Sequence, residues 1–430
     1  METIPTNREK RIFYGWFIVG VAFLCWFAAD AFGWYTFGLF LGPMTGELGW
    51  TTVMMTGALT TRTIAAGLLG PLIGPLADTK YGARMLMSIG VIIAGGVPFA
   101  VSYVQNIWQY YFIYGVIGAL GMVGYGSLVT NTILAKWFIR KRGRAMAIST
   151  LGISLSGLAF VPLTHFLISD FGWRNTLMVL GIIVWGLTVI PVAVFVRRSP
   201  EDMGLLPDGD DPESISLKSQ GLAETTNISS GERIWTLREA LRTKALWFLL
   251  VGFNLAGLSI SGVMIHLIPY LLDKGFSKDI AASAMTIFAL CCALVKIPWG
   301  LISERVSVRI CIIISYTGCA FGILVLLTSQ SVPLVFIYVI IYGASMGADL
   351  VLRDLIWADY FGRTFIGTIR GVIMPAYMIA LAGGPLFAAW LYDLTGNYQI
   401  PYIIFFVTLL LGAFFIYLAA PPKPTRAEIS

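Results

Sequence analysis

The sequence predicts an all-α membrane protein of twelve transmembrane helices in two six-helix bundles, and three observations predict it. Apolar residues make up 57 % of the 430 residues and charged residues only 12 %, about half the charged share of a water-soluble domain. The apolar runs are of helical length, the ~20 residues that crossing a bilayer takes, and they lack the alternation of membrane β-strands. The runs also fall into a pattern: six, a polar stretch, then six more.

The polar tail 1–13 has no short hydrophobic region with a small-residue cleavage site, so no removable signal peptide is expected. Span 1 covers 14–44 and carries Asp30, Trp34 and Tyr35. Span 2 covers 51–77, with Arg62 near its middle, and ends in the charged turn Asp78 to Arg84. An arginine in a membrane-length helix is costly unless a cavity or a partner receives it. Span 3 covers 85–104. Span 4 covers 108–134, with Gly115, Gly118, Gly121 and Gly124 at every third residue, a spacing that lets a neighbouring helix approach. A basic turn, Lys136 to Arg144, leads into span 5, which ends near 168; span 6 covers 175–195.

Composition changes at 197–244, a stretch rich in Ser, Gly, Pro and acids that reads as a flexible linker. Near its end Thr236 and Glu239 have capping-box spacing, and Leu237, Ala240 and Leu241 share a face, which predicts a short surface helix. Spans 7 to 12 follow at 245–272, 280–303, 310–328, 333–357, 365–392 and 401–420, before a polar tail, 421–430. The expected units are therefore bundles at 14–196 and 245–420 with the linker between them.

Charge placement orients the chain. The net charge is +6, yet 23 of the 29 lysines and arginines fall in the tails, the linker and alternate loops of one face. Only Arg174, Lys274 and Lys278 fall on the other face, and Arg62, Lys296 and Arg353 lie within spans. This is the positive-inside pattern: both termini are expected in the cytoplasm, in a multi-pass protein of the cell membrane, and the basic pI needs no nucleic acid. The five cysteines all lie in apolar runs, so no disulfide framework is expected. No G-x-x-x-x-G-K loop, catalytic triad or metal-ligand spacing occurs. Neither an enzyme, a cofactor, a metal nor ATP-driven transport is expected.

An internal repeat relates the halves. Gly74 and Asp78 follow span 2, with Arg84 beyond; Gly300 and Glu304 follow span 8, with Arg305 and Arg309 beyond. Two related six-span halves are a recurring transporter design. The turn from Gly74 to Arg84 resembles the signature loop of the major facilitator superfamily. Within that superfamily the chain looks like the monocarboxylate and oxalate–formate transporter branch. Four stretches carry this: Glu47 to Trp50; Trp137-Phe138 with Arg142 to Ala147; Arg198 to Gly209; and Ala358 to Arg363 with Ile369-Arg370-Gly371. The resemblance implies a secondary transporter that rocks around a midplane site. Its substrate would be a small organic anion such as a monocarboxylate, moved with a proton or exchanged for another anion. A monomer among membrane lipids is expected. Export of a larger apolar compound is the alternative; a sensor without flux would need a folded signalling domain, and the linker is short and poor in apolar residues.

The resemblance also directs attention to single residues. The branch places a basic residue in helix 8, and Lys296 occupies that place; Cys292 stands where some members carry an acid. The competing reading of Lys296 is a snorkelling side chain. Arg62 either binds a carboxylate bidentately or pairs with Asp30 or Asp349. Asp30 either neutralises Arg62 or carries a proton. Asp349, four residues before Arg353, suits a helix-surface ion pair. Arg353, Asp354 and Arg370 read as a gate on the basic face, together with Asp78, Arg84, Arg144, Glu304, Arg305 and Arg309, and Asp349 is deep enough to touch substrate or a proton. His266 and His165 lie near outer span ends; structural hydrogen bonding is the plainer reading, and proton transfer the functional one for His266. Trp34, Tyr35, Tyr125, Asn254 and Tyr342 lie in spans 1, 4, 7 and 10, which line the cavity in the superfamily; each either contacts the substrate or merely packs.

Overall fold

The computed structural model describes residues 12–29, 31–33, 35–210 and 235–422. Asp30 and Trp34, the middle of the linker and both chain ends lie outside the described residues, and so do the proton and cavity roles assigned to those two side chains.

Among the described residues all regular structure is helical. Among the described residues nine helices are long and apolar enough to cross a membrane. One of them, Arg142–Phe195, contains spans 5 and 6 together; the chain turns back at Gly172, whose φ of 76° suits a residue without a Cβ. Both ends of this run meet at one face, since the indole of Trp137 donates to the Arg197 carbonyl at 3.0 Å. Span 2, Thr52–Asp78, is 27 residues long, enough to cross, but its threonines and Arg62 dilute its apolar character. Span 1 departs from the single helix expected: it is two helices, Gly15–Ala29 and Phe37–Leu48. The second runs on past 44 and stops at Gly49, in the left-handed region with φ 68°. With those two, twelve spans are counted among the described residues.

Span 4, Ile107–Trp137, is also interrupted. It opens on a capping box between Asn106 and Gln109 and widens to a π-helix over Tyr111–Ile117. It then breaks at Gly126, where Thr130 takes up the freed Tyr125 carbonyl at 2.7 Å. Its recurring glycines serve as contact points: a Cβ on Gly124 would stand 2.9 Å from the Gly90 Cα of span 3.

In the first half span 1 packs on span 5, and span 3 on spans 4 and 6. In the second, span 10 packs on spans 8 and 9, and span 12 on spans 7 and 9. The halves meet along two seams, span 2 against span 11 and span 5 against span 8. Both seams are built from glycine. A Cβ on Gly371 would lie 3.0 Å from the Gly74 Cα, and one on Gly300 would lie 2.7 Å from the Gly143 carbonyl oxygen. Close backbone approach lets two apolar helices gain van der Waals contact that lipid does not supply as well.

The linker starts as an ordered strap. Two short 3₁₀ turns, Pro200–Met203 and Pro207–Gly209, carry it under the first half. The carboxylate of Asp208 accepts the backbone N–H groups of Ile139, Arg140 and Lys141 at 3.2, 2.8 and 3.1 Å. Glu201 reaches the other half and pairs with Arg363 at 2.7 Å. Beyond the undescribed stretch, the helix Leu237–Arg242 opens on a capping box between Thr236 and Glu239.

Candidate transport site and gate

The acids of the internal repeat perform matching tasks. Asp78 ends span 2 and accepts the backbone N–H groups of Gly367 and Thr368 at 3.2 and 2.7 Å, at the start of span 11. Glu304 accepts the backbone N–H of Arg144 at 3.1 Å, in the first turn of span 5. Each carboxylate thus sits at a helix N-terminus of the opposite half, where unsatisfied N–H groups and the helix dipole favour a negative charge. Each also meets a cation of the first half. Lys136 donates to Asp78 at 2.9 Å, and Arg144 grips Glu304 through Nε at 2.9 Å and its terminal nitrogen at 2.6 Å.

Three predicted gate residues lie elsewhere. Arg84 donates to the Ala193 carbonyl, inside the first half. Arg309 lies over the Tyr417 ring at 5.7 Å, inside the second. Arg305 follows Glu304 in the turn, and its backbone N–H closes the end of span 8 on the Ile302 carbonyl at 3.0 Å.

Deeper on the same face lies a buried charge network. Tyr316 donates to Asp349 at 2.8 Å, and Arg353 donates to its other oxygen at 3.1 Å. Arg370 donates to Asp354 at 2.6 Å and to the Ser127 carbonyl at 3.1 Å. Asp354 also accepts the side-chain amide of Asn131, so one carboxylate ties span 10 to span 4 across the halves. Arg353 lies 4.2 Å from the centre of the Tyr377 ring. A cavity of about 60 Å³ separates these groups, lined by Ser127 of the first half and by Arg353, Asp354, Arg370 and Tyr377 of the second.

Lys296 is 1 % exposed and lies at the other seam. Its ammonium donates to the Thr150 carbonyl at 2.8 Å and to the Ser154 hydroxyl at 2.9 Å, both on span 5. A snorkelling lysine would show its head at the membrane surface; this one is held between the halves. An ammonium has three donors, and two are used here.

Arg62 has different neighbours. Its guanidinium lies 5.1 Å from the Tyr114 ring and 3.5 Å from the Phe32 carbonyl. The small cavity beside it is lined by first-half residues alone, Tyr125 among them. Pairing of Arg62 with Asp349 does not occur, because Asp349 is enclosed by Tyr316 and Arg353 within the second half.

The remaining candidates divide similarly. Tyr342 is turned into the second bundle, against Phe288 and Gly322. The Asn254 amide donates to Leu250 of its own helix at 2.7 Å. Tyr35 packs over Gly157 of span 5. His266 is held between the Pro385 carbonyl at 3.0 Å and the Tyr398 hydroxyl at 3.3 Å, while His165 is exposed. Among the described residues no group of three or more His, Cys, Asp or Glu side chains is placed to hold a metal.

Several residues here escaped the sequence reading. Asn131 is a polar side chain deep in an apolar span, and that was its signal. Thr150, Ser154 and Tyr377 carry none, because hydroxyls and aromatics are ordinary in such helices. Glu201 was hidden in a stretch that reads as polar linker.

The geometry can be set beside known proteins. The sequence profile of the Major Facilitator Superfamily matches residues 22–285 and, overlapping it, 256–430. The chain is 22 % identical to monocarboxylate transporter 2 of Rattus norvegicus, over 81 % of this chain and 71 % of that one. It is 26 % identical to human monocarboxylate transporter 2, over 91 % and 82 %. It is 23 % identical to monocarboxylate transporter 12 of Rattus norvegicus, over 80 % and 74 %. In structure it is similar to the proton:xylose symporter XylE, with a TM-score of 0.72, 15 % identity and coverage of 94 % and 95 %. It is also similar to the human organic anion transporter MFSD10, with a TM-score of 0.68, 16 % identity and coverage of 94 % and 99 %.

Proposed function

The chain belongs to the Major Facilitator Superfamily, and from that premise we propose that it carries a small organic anion, of monocarboxylate type, across the cell membrane by alternating access. The observation that carries this reading is the placement of Lys296. A buried ammonium at the seam of two halves, held by Thr150 and Ser154 of the opposite half, has one donor left for a carboxylate. The similarity to monocarboxylate transporters over most of the chain supports the substrate class.

In this reading the basic face is cytoplasmic and the described conformation is closed there, by Asp78, by Glu304 with Arg144, and by Asp354 with Asn131. An anion entering from outside meets Lys296 and neutralises it. Thr150 and Ser154 then hold a neutral pair rather than a charge, and the two halves can part at lower cost. A proton that travels with the anion, or a second anion moving the other way, keeps the cycle electrically balanced. Asp349 and His266 remain the proton-carrier candidates among the described residues; Tyr316 and Arg353 both donate to the Asp349 carboxylate, so a proton placed there has to release the Arg353 pair.

The test is flux into proteoliposomes with a panel of labelled carboxylates, pyruvate included, with and without a pH gradient. Saturable uptake that Lys296→Ala abolishes and Lys296→Arg retains is the expected result. No carboxylate flux under either condition would overturn the reading.

A further inference from the structure

We infer that Arg353 and Arg370 form a second anion-binding station, at which the carboxylate of the transported anion displaces Asp354 and thereby releases the gate. This inference rests on the carboxylate reading above. Its station lies between spans 4, 10 and 11, away from the span 5–span 8 seam that holds Lys296.

Three features of the molecule lead to it. First, the two guanidiniums share one cavity of about 60 Å³, large enough for several water molecules or one carboxylate head. Second, Arg353 is presented rather than consumed. The Tyr316–Asp349 pair takes one of its donors, and the Tyr377 ring centre lies 4.2 Å from its guanidinium. A guanidinium has five N–H donors, so an anion in the cavity finds a fixed and oriented fork. Third, Arg370 is paired with the very carboxylate that bridges the halves. Asp354 is 5 % exposed and has two duties: it neutralises Arg370 at 2.6 Å, and it accepts the amide of Asn131 from the opposite half.

These duties compete once another carboxylate arrives. A substrate carboxylate that takes Arg370 and Arg353 together substitutes one charge-assisted contact for another at Arg370, and gains a second from Arg353. Asp354 is then left with an amide alone, and a buried carboxylate without its cation is unstable. It must turn toward water, and the Asn131 contact goes with it. That joint is already under-satisfied, since the Asn131 Oδ1 is buried with no partner among the described residues. Arrival of the anion on the inner side of its path would therefore weaken the contact that keeps the halves closed there.

The test uses the full chain in proteoliposomes with labelled pyruvate as the probe. Arg353→Gln is expected to raise KM for pyruvate about tenfold or more, the effect of losing a hydrogen bond to a charged group, while Arg353→Lys, which keeps the charge but not the fork, raises it less. A merely structural arginine would lower the melting temperature and leave KM in place. Where the single variant does not accumulate, D349N/R353Q removes both charges together and is expected to raise KM likewise. Spin labels at Tyr81→Cys and Val306→Cys, exposed on the basic face of the two halves, report opening by pulsed EPR, in a background freed of native cysteines that still takes up pyruvate. Pyruvate should lengthen that distance, Arg353→Gln should abolish the lengthening, and Asp354→Asn should show it without pyruvate. An unchanged KM in Arg353→Gln, or an unshifted distance in Asp354→Asn, overturns the inference. Wild-type flux that is lost in Lys296→Ala but untouched in Arg353→Gln overturns this inference alone. Absence of carboxylate flux from wild type overturns the substrate reading and this inference with it.

Discussion

Gly74 of span 2 and Gly371 of span 11 touch backbone to backbone: a Cβ on Gly371 would stand 3.0 Å from the Gly74 Cα. Gly300 and Gly143 repeat the relationship at the other seam, so each glycine of the internal repeat, Gly74 and Gly300, meets a glycine of the opposite half. Gly74→Val or Gly300→Val should wedge its seam open. Overpacking of this kind costs about 1–3 kcal/mol, enough to shift a two-state equilibrium roughly 5- to 150-fold toward opening. The same EPR pair at Tyr81 and Val306 would show the longer distance without substrate; an unshifted distribution would mean that the seams yield without separating.

The Arg144–Glu304 pair makes a charge-swap prediction. Glu304→Arg alone places two cations together and should cut pyruvate uptake strongly. Adding Arg144→Glu should restore part of it, because the side chains are bonded at 2.6 and 2.9 Å. Restoration will be incomplete, since the swapped pair sets an arginine beside the N-terminus of span 5, where the helix dipole disfavours it. A double variant no better than the single would remove the pair from the gate.

Arg62 and Lys296 should part company under mutation. Arg62 is surrounded by its own half, so Arg62→Gln is expected to lower thermal stability while leaving KM for pyruvate within about twofold. Lys296→Ala should do the reverse, losing uptake with little change in melting temperature. A large KM change in Arg62→Gln would return that arginine to the substrate path.

The linker strap predicts an order of stability. Asp208 is 4 % exposed and holds three backbone N–H groups, and its backbone has a φ of 60°, which asparagine tolerates well. Asp208→Asn should therefore melt below wild type, and Asp208→Ala lower still by about 2 kcal/mol. Thermal melts in detergent would read this order, and equal melting temperatures would show that the strap merely rests on the loop.

Glu47, in the exposed last turn of the helix Phe37–Leu48, makes a pH prediction. Hydrogen bonds from Arg174 at 3.0 Å and from the Trp173 indole at 2.6 Å hold its carboxyl below the ordinary glutamate value. A depressed carboxyl pKa contributes stability that is present above the unfolded value, near 4.3, and is lost as pH falls through the folded value. Melting curves of wild type and Glu47→Gln should thus differ at pH 7 and converge in acid. The gap will be small, as for any exposed pair. A gap that persists at low pH would assign the effect to packing of the turn.

What the amino-acid sequence determined by itself was everything that a local pattern can carry. Apolar length set the spans, because transfer of a side chain into lipid depends on that side chain alone, and the placement of lysine and arginine in the loops predicts their sidedness. The recurrence of glycine and acid four residues apart marked two related turns, which the structure places at the two seams between the halves. The spacing of Asp349 and Arg353 is likewise local, one turn of helix. Only the tertiary structure decided which charges meet across the halves. Asp78 finds the first turn of span 11, and Asp354 finds Asn131, through contacts between residues more than 200 positions apart. The same holds for Arg62 and Lys296, each a lone cation in an apolar helix and alike to any periodicity argument. They differ only in which way the helix faces, and packing against the other eleven spans sets that: one looks into its own bundle, the other into the seam.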